Sequence, residues 1–291
     1  MLFYSDSTAR GVHELELDLA GKSALVTGAD RGTGQVIAQA LAAEGVRVLL
    51  HGASEESATA AVACLEHSAS KDGTTEATTI PTHAAPLWGD LASASGCADI
   101  AEQALAAGPV DILVNNYGTA SRGKWQTVTE ADWLDMYQKN VLSAARLAQA
   151  LVPGMTERGW GRVIQLGTIG SHQPNAIMPH YYSAKGALAT LSASLALEVA
   201  GSGITVNTVS PGLIHTEELE AAYRAKAAKR GWGEAWEQIL HRLVAEDFPN
   251  PVGRIATRQE VADFVVFLCS PKAGFIHGQN IRVDGGAVRY V

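Results

Sequence analysis

Residues 23–34 read Ser23-Ala24-Leu25-Val26-Thr27-Gly28-Ala29-Asp30-Arg31-Gly32-Thr33-Gly34. An apolar, β-branched run passes directly into a turn holding three glycines, and a helical pattern starts at Gln35. Each glycine has a physical task there: Gly28 permits the sharp bend, Gly32 lets backbone approach a pyrophosphate, and Gly34 allows helix to pack tightly on strand. The helix N-terminus is then aimed at an anion. Such a turn is a weak signal alone; what surrounds it decides its meaning.

Outward from this turn, short β-branched runs alternate with longer Ala-rich segments. Strands are expected at 23–27, 46–50, 86–88, 111–115, 162–166, 205–209 and 280–283, and helices at 35–44, 55–67, 94–107, 130–156, 181–200 and 260–268. This alternation specifies an α/β, doubly wound (Rossmann) fold, a seven-stranded parallel sheet with helices on both faces. Residues 19–291 read as a single domain, preceded by an arm at 1–18 with no continuous apolar stretch to serve as signal or anchor. The polar stretch 70–85 reads as a surface loop. The segment 215–251, helical at 218–230 and 236–244, follows the sixth strand and is expected to lie over the ligand crevice as a lid.

Composition narrows the function. Apolar residues form 47% of the chain and charged residues 18%, the balance of a soluble, well-cored protein. A net charge of −8 without a basic cluster argues against nucleic acid as a partner. Cys64, Cys97 and Cys269 are scattered and lack metal-ligand spacing, so neither a disulfide framework nor a metal site is expected, and a reducing cytoplasm fits.

The dinucleotide is read from the end of the second strand, where a carboxylate would pair with the adenosine ribose and repel a 2′-phosphate. That strand ends in His51-Gly52-Ala53-Ser54, with no carboxylate. Arg31 supplies a cation and Ser54 a hydroxyl where a 2′-phosphate would lie, so NADP(H) is expected over NAD(H). Asp30 and Thr33 of the glycine turn are counted among the cofactor contacts. His51 either assists the phosphate or is simply packed. Asp90, followed by Leu91, either accepts from the adenine amino group or caps the next helix.

Tyr181 and Lys185 stand four residues apart, one turn along a helix face. Reducing a carbonyl needs a proton donor at the developing alkoxide, and a free phenol, with a pKa of about 10, is a reluctant one. A neighbouring ammonium favours phenolate, and lowering the pKa by about three units corresponds to roughly 4 kcal/mol. Tyr182 has Gly186 at the same spacing, which leaves Tyr181 as the acid/base.

Together with the glycine turn, Asn115-Asn116-Tyr117-Gly118 after the fourth strand, Asn140, and Pro211-Gly212-Leu213-Ile214-His215-Thr216 after the sixth resemble the short-chain dehydrogenase/reductase family, over roughly residues 19–286. The glycine spacing is similar to the compact branch that includes 3-oxoacyl-carrier-protein reductases. The resemblance implies hydride transfer, of the pro-S hydrogen, between NADP(H) and a small-molecule carbonyl or secondary alcohol. It implies Tyr181 as acid/base, Lys185 as its electrostatic and ribose-binding partner, and Asn140 as the holder of a helix kink and a relay water. The family's carbonyl-orienting serine is replaced by Thr168, which keeps the hydroxyl but narrows the rotamer choice; Ser171 is the fallback. Asn115 and Gly118 are expected beside the adenosine ribose, and Pro211, Gly212, Ile214 and Thr216 near the nicotinamide. Tyr117 departs from the usual alanine and, with Ser171, His172 and His180, is expected to line the substrate pocket. Trp232 and Trp236 are expected to share one apolar helical face, and Asp284-Gly285-Gly286 to form a terminal turn. Helices 130–156 and 181–200 are the expected contacts of a homo-oligomer, dimer or tetramer. The rival reading is a non-catalytic NADP(H)-binding sensor or scaffold.

Overall fold

Alternate residues of the central strands face opposite sides of one sheet, and that period divides the core in two. The computed structural model describes residues 15–69 and 84–290. The strands are β1 (Ser23–Val26), β2 (Arg47–Gly52), β3 (Ala85–Trp88), β4 (Ile112–Asn115), β5 (Gly161–Leu166), β6 (Ile204–Pro211) and β7 (Asn280–Val283). All pair in parallel, in the order β3-β2-β1-β4-β5-β6-β7. The chain steps outward from β1 to β3 and then crosses to the other side at β4. The crevice between β1 and β4, at the strands' carboxyl ends, is where such sheets bind ligands.

The helices are α1 (Gly32–Ala43), α2 (Glu55–Ala69), α3 (Ala94–Ala106), α4 (Glu130–Tyr137), α5 (Ser143–Arg158), α6 (Pro179–Glu198), α7 (Glu217–Arg230), α8 (Trp236–Arg242) and α9 (Arg258–Cys269). On one face Val26, Leu50, Val114 and Ile164 pack with Ile37 and Leu41 of α1 and Val261 and Val265 of α9. On the other, Leu25, Leu49, Leu113 and Val163 meet Ile100 of α3 and Leu147 and Leu151 of α5. Truncating Leu113 or Leu147, both fully buried, to alanine would cost about 2–5 kcal/mol each.

Two expected elements differ. The helix anticipated over 130–156 is interrupted by a π turn at Gln138–Leu142, around the Asn140 at which the family resemblance implied a kink. Inside it the Asn140 side-chain amide donates to the Met136 carbonyl at 3.0 Å, taking the acceptor four residues back and loosening the ladder. The helix anticipated from Tyr181 begins at Pro179, a residue pre-set for a first helical turn. The surface loop placed at 70–85 lies mostly, and the arm at 1–18 largely, outside the described residues. Among the described residues no helix is long and apolar enough to cross a membrane.

The segment 215–251 does carry α7 and α8. It leaves the sheet at Ile214, which bridges Ala256, and the same rung is tied by His215 N–H to the Ala256 carbonyl and Ala256 N–H to the Leu213 carbonyl. Trp232 and Trp236 do not share a helix: α7 stops at Gly231 in left-handed conformation, and Trp236 starts α8 stacked on His215.

Candidate active site

At the glycine turn Gly28 and Gly32 both adopt positive φ, +59° and +64°, and Gly32 faces open space where a side chain would stand. The Asn116 amide donates to the carbonyls of Thr27 (3.0 Å) and Gly28 (2.8 Å), clasping the turn to the end of β4. A Cβ at Gly34 would collide with both that amide and the Gly28 carbonyl. His51 braces the same turn: Nδ1 accepts the Gly28 N–H and Nε2 donates to the Gly89 carbonyl, each at 3.1 Å. That pattern needs the neutral ring, which burial favours by lowering its pKa. Of the two roles open to His51, the packed one describes it.

Arg31, exposed, opens α1, and exposed Ser54 accepts the Ser57 N–H to begin α2. The Asp30 carboxylate reaches the Ala53 N–H at 3.4 Å, which puts a negative charge beside the end of β2 that the strand itself lacks. Asp90 is not the helix cap. Ser93 takes that role, while Asp90 accepts the Ala92 N–H in a local turn. Leu91 is buried and its carbonyl accepts from the Cys97 thiol at 3.2 Å.

Thr33, Asn116, Gly118, Asn140, Tyr181, Lys185, Pro211 and Ile214 line one cavity of about 220 Å³ at the mouth of the sheet. The helix α6 carries Tyr181 and Lys185 there. Thr168, ending the strand–turn after β5, hydrogen-bonds the Tyr181 phenol and accepts the Gly170 N–H, while Ser171 donates to the Thr168 carbonyl at 2.7 Å. Lys185 is fully enclosed and donates to the Leu166 carbonyl at 2.7 Å. Burial brings its pKa down to about 8 and pushes the Tyr181 phenol up to about 12. The lowered phenol pKa anticipated from the spacing is therefore opposed by desolvation, which outweighs the hydrogen bond from Thr168. Asn140, pinned by the Thr119 and Met136 carbonyls, leaves its buried Oδ1 without a partner. Gly118 has room for none but a hydrogen: a Cβ would stand 2.4 Å from Asn140 Oδ1 and 3.3 Å from Lys185 Nζ.

These features fit a nicotinamide dinucleotide: an open backbone cradle at Gly32, a helix N-terminus facing it, and an orphaned buried oxygen beside an enclosed amine. Asn115 is less suited than its neighbour. Its side chain is buried with Nδ2 unpartnered, and Asn116 stands in the cavity wall instead. Gly212 approaches Asp284 and Phe248 too closely to admit a side chain. The Thr216 hydroxyl caps α7 by accepting the Leu219 N–H and bonds the Glu218 carboxylate. Asp284 accepts the Gly286 and Val288 N–H groups, closing the terminal turn.

A second cavity, about 1120 Å³, opens next to the first and shares Tyr181 with it. Its wall includes Thr168 but none of the four residues expected to line it. The Tyr117 ring packs on the core beside β3 and stands edge-on to His51, because after β4 its side chain turns to the α3 face. Ser171 is spent on Thr168. His172 packs against Tyr290, which donates to its carbonyl. His180 turns a third of the way round α6 from the catalytic face, into Ser121 (2.7 Å) and Trp133. The wall is built by Arg122, Tyr182, Leu219, Tyr223, Phe248 and Tyr290. Tyr182 had a signal in its adjacency to Tyr181; Leu219, Tyr223 and Phe248 had none at short range.

Fold and site together define a nicotinamide-dependent oxidoreductase that transfers a hydride between its cofactor and a carbonyl or secondary alcohol. A family profile described as enoyl-(acyl carrier protein) reductase matches residues 28–288, and the chain belongs to the short-chain dehydrogenase/reductase family. It is 34% identical over 271 residues to the 3-oxoacyl-[acyl-carrier-protein] reductase FabG of Escherichia coli, covering 93% of this chain and 98% of that reductase. L-Sorbose reductase from Gluconobacter frateurii, solved with NADPH and L-sorbose, superposes with a TM-score of 0.85 at 31% identity, over 95% of this chain and 100% of its own. A 3-oxoacyl (acyl-carrier-protein) reductase from Agrobacterium tumefaciens C58 with NADP bound gives 0.79 at 31% identity, over 94% and 97%.

Proposed function

We propose that the protein is an NADP(H)-dependent carbonyl reductase, with Tyr181 as the proton donor to the substrate oxygen and Thr168 as the group that orients it. The observation that carries this is the meeting of Thr168, Tyr181, Lys185 and Asn140 where a small cavity joins a large one. A bound NADPH supplies the hydride to the carbonyl carbon. Tyr181 gives its proton to the oxygen as charge develops there, and Lys185, above the ribose site, holds positive charge next to it. A phenol near 12 stays protonated at neutral pH, which favours reduction as the working direction. The unpartnered Asn140 Oδ1 can accept from a water that reprotonates the site through Lys185. Gly28, Arg31, Gly32, Thr33, Gly34 and Ser54 hold the adenosine half, with the Asp30 carboxylate beside them as the group that opposes a 2′-phosphate, Asp90, Leu91 and Gly118 continue the cleft, and Pro211, Gly212, Ile214 and Thr216 flank the nicotinamide half. NADP(H) is supported by the NADPH- and NADP-bound relatives and by Arg31.

The same reading takes 19–291 as one domain with 215–251 as its lid, in a cytoplasmic homo-oligomer. An apolar groove between α5 and α6, lined by Ala145, Val152, Leu191 and Leu195, supports a partner there. The test of function follows the absorbance of reduced nicotinamide with purified protein, NADPH and a carbonyl panel that includes L-sorbose and acetoacetyl-coenzyme A. Tyr181→Phe and Thr168→Ala are expected to lower kcat by about 10²-fold or more, and Ser171→Ala by less. Cofactor binding without turnover across the panel would return the sensor reading instead.

A further inference from the structure

The charged side chains of the large cavity bear on what it accepts. Three line it: Arg122, Arg289 and Asp247. Asp247 is already neutralised, since Lys226 pairs with it and the Tyr223 hydroxyl hydrogen-bonds it. Neither arginine has an ion-pair partner among the described residues. Arg122, on the segment after β4, lies within electrostatic reach of the phenols of Tyr182 on α6 and Tyr223 on α7. It therefore stands near phenols on two walls of the cavity, the second of them the Tyr223 that holds the Asp247 carboxylate. Asn175 fixes the Tyr182 hydroxyl at 2.9 Å, so the side of the cavity next to Tyr181 is pre-arranged.

A cleft with uncommitted cations and low-dielectric walls concentrates anions. Guanidinium groups also present a planar fork of donors that matches carboxylate or phosphate oxygens, with geometry a neutral hydroxyl cannot use as fully. At about 1120 Å³ the cavity is far larger than a three-carbon oxo acid needs. Building on the reductase reading, we propose that the substrate carries an anionic group some distance from its carbonyl, and that Arg122 receives that group while the carbonyl lies against Thr168 and Tyr181. The chemistry is shared by the carboxylate of a sugar-sized oxo acid and the phosphates of a coenzyme A-type thioester.

The experiment uses the full chain with NADPH and three probes. L-Sorbose is the neutral one; 5-ketogluconate has the same six-carbon skeleton with a terminal carboxylate in place of a hydroxymethyl group; acetoacetyl-coenzyme A is the phosphate-bearing one. The expected result is a kcat/KM for at least one anionic probe about tenfold or more above that for L-sorbose. Arg122→Gln should lower the ratio of anionic to neutral kcat/KM by about the same factor, mainly through KM, with partial recovery in Arg122→Lys. Whichever anionic probe loses most in Arg122→Gln identifies the source of the charge. Arg289→Gln serves as a second variant should Arg122→Gln fail to fold. A preference for L-sorbose, or an equal loss on all probes, overturns the proposal and leaves the reductase reading standing. No turnover of any probe or of the wider carbonyl panel, with NADPH bound, overturns both.

Discussion

Replacing Gly118 by alanine adds a single methyl group in the wall of the small cavity, against Asn140 and Lys185. Its Cβ would stand 2.4 Å from Asn140 Oδ1, about 1 Å inside ordinary van der Waals contact, and 3.3 Å from the Lys185 amine. Neither neighbour is free to retreat. Asn140 is buried and held by two carbonyls at 3.0 Å, one of them Thr119, the residue next to Gly118 itself, so moving the loop drags the amide with it. Lys185 is enclosed and tied to Leu166. A displacement of about 1 Å at a reacting centre costs about 10²-fold in rate, or about 2.7 kcal/mol. Gly118→Ala is therefore expected to lose about 10²-fold in kcat with any accepted ketone. Thermal unfolding should report a loss of about 1–3 kcal/mol as well, because the added methyl group meets buried, tethered neighbours, and kcat is therefore read below the melting transition. Activity within twofold of the parent would mean that Asn140 and Lys185 do not need their present positions, and the reasoning about this site would be wrong.

Three other outcomes follow from the same geometry. Lys185→Met removes a buried amine whose folded pKa is held near 8, against an ordinary value of about 10.5. Its burial penalty, about 3 kcal/mol, is present in full below pH 8 and is relieved as pH rises toward 10.5, where the unfolded chain alone still binds the proton. The variant should be inactive yet more stable at neutral pH, with the gap in denaturation midpoint closing toward pH 10; a less stable variant at pH 7 would refute this. Arg31→Ala should weaken NADPH binding by about tenfold and NADH much less, whereas Asp30→Ser, which takes a carboxylate from the end of β2, should tighten NADPH; fluorescence titration with both cofactors decides. Asn116→Ala leaves the Thr27 and Gly28 carbonyls short of a donor, which should cost about 1–3 kcal/mol in stability and loosen cofactor binding, both read from thermal shift with and without NADPH.

The seven strands and the helix of Tyr181 and Lys185 were readable because their causes are local: β-branched runs of strand length, glycines where backbone must bend, and a four-residue spacing on one helix. The kink at Asn140 came from the resemblance and not from local pattern, since its cause is a side chain reaching Thr119 across the chain as well as Met136. The wall of the larger cavity failed for a geometric reason. His172 and His180 adjoin the motif in sequence, yet one helical position turns His180 away from the cleft toward Trp133. Residues that do form the wall, such as Tyr223 and Phe248, arrive from the 215–251 segment and carry no mark in their own neighbourhood. Asp30 shows the complementary error: a strand end without an acid in sequence gains one in space from the preceding turn.

The excursion between His215 and Ile255 departs and returns at a single rung, with the backbone of Leu213, Ile214 and His215 bonded to Ala256. Because its two ends already touch, its length is decoupled from the framework beneath, and closing a longer or shorter version changes the entropy only logarithmically. On the proposed function it is an exchangeable cassette, in which insertion, deletion or transplantation would rewrite selectivity while Tyr181 and Lys185 stay where the sheet puts them.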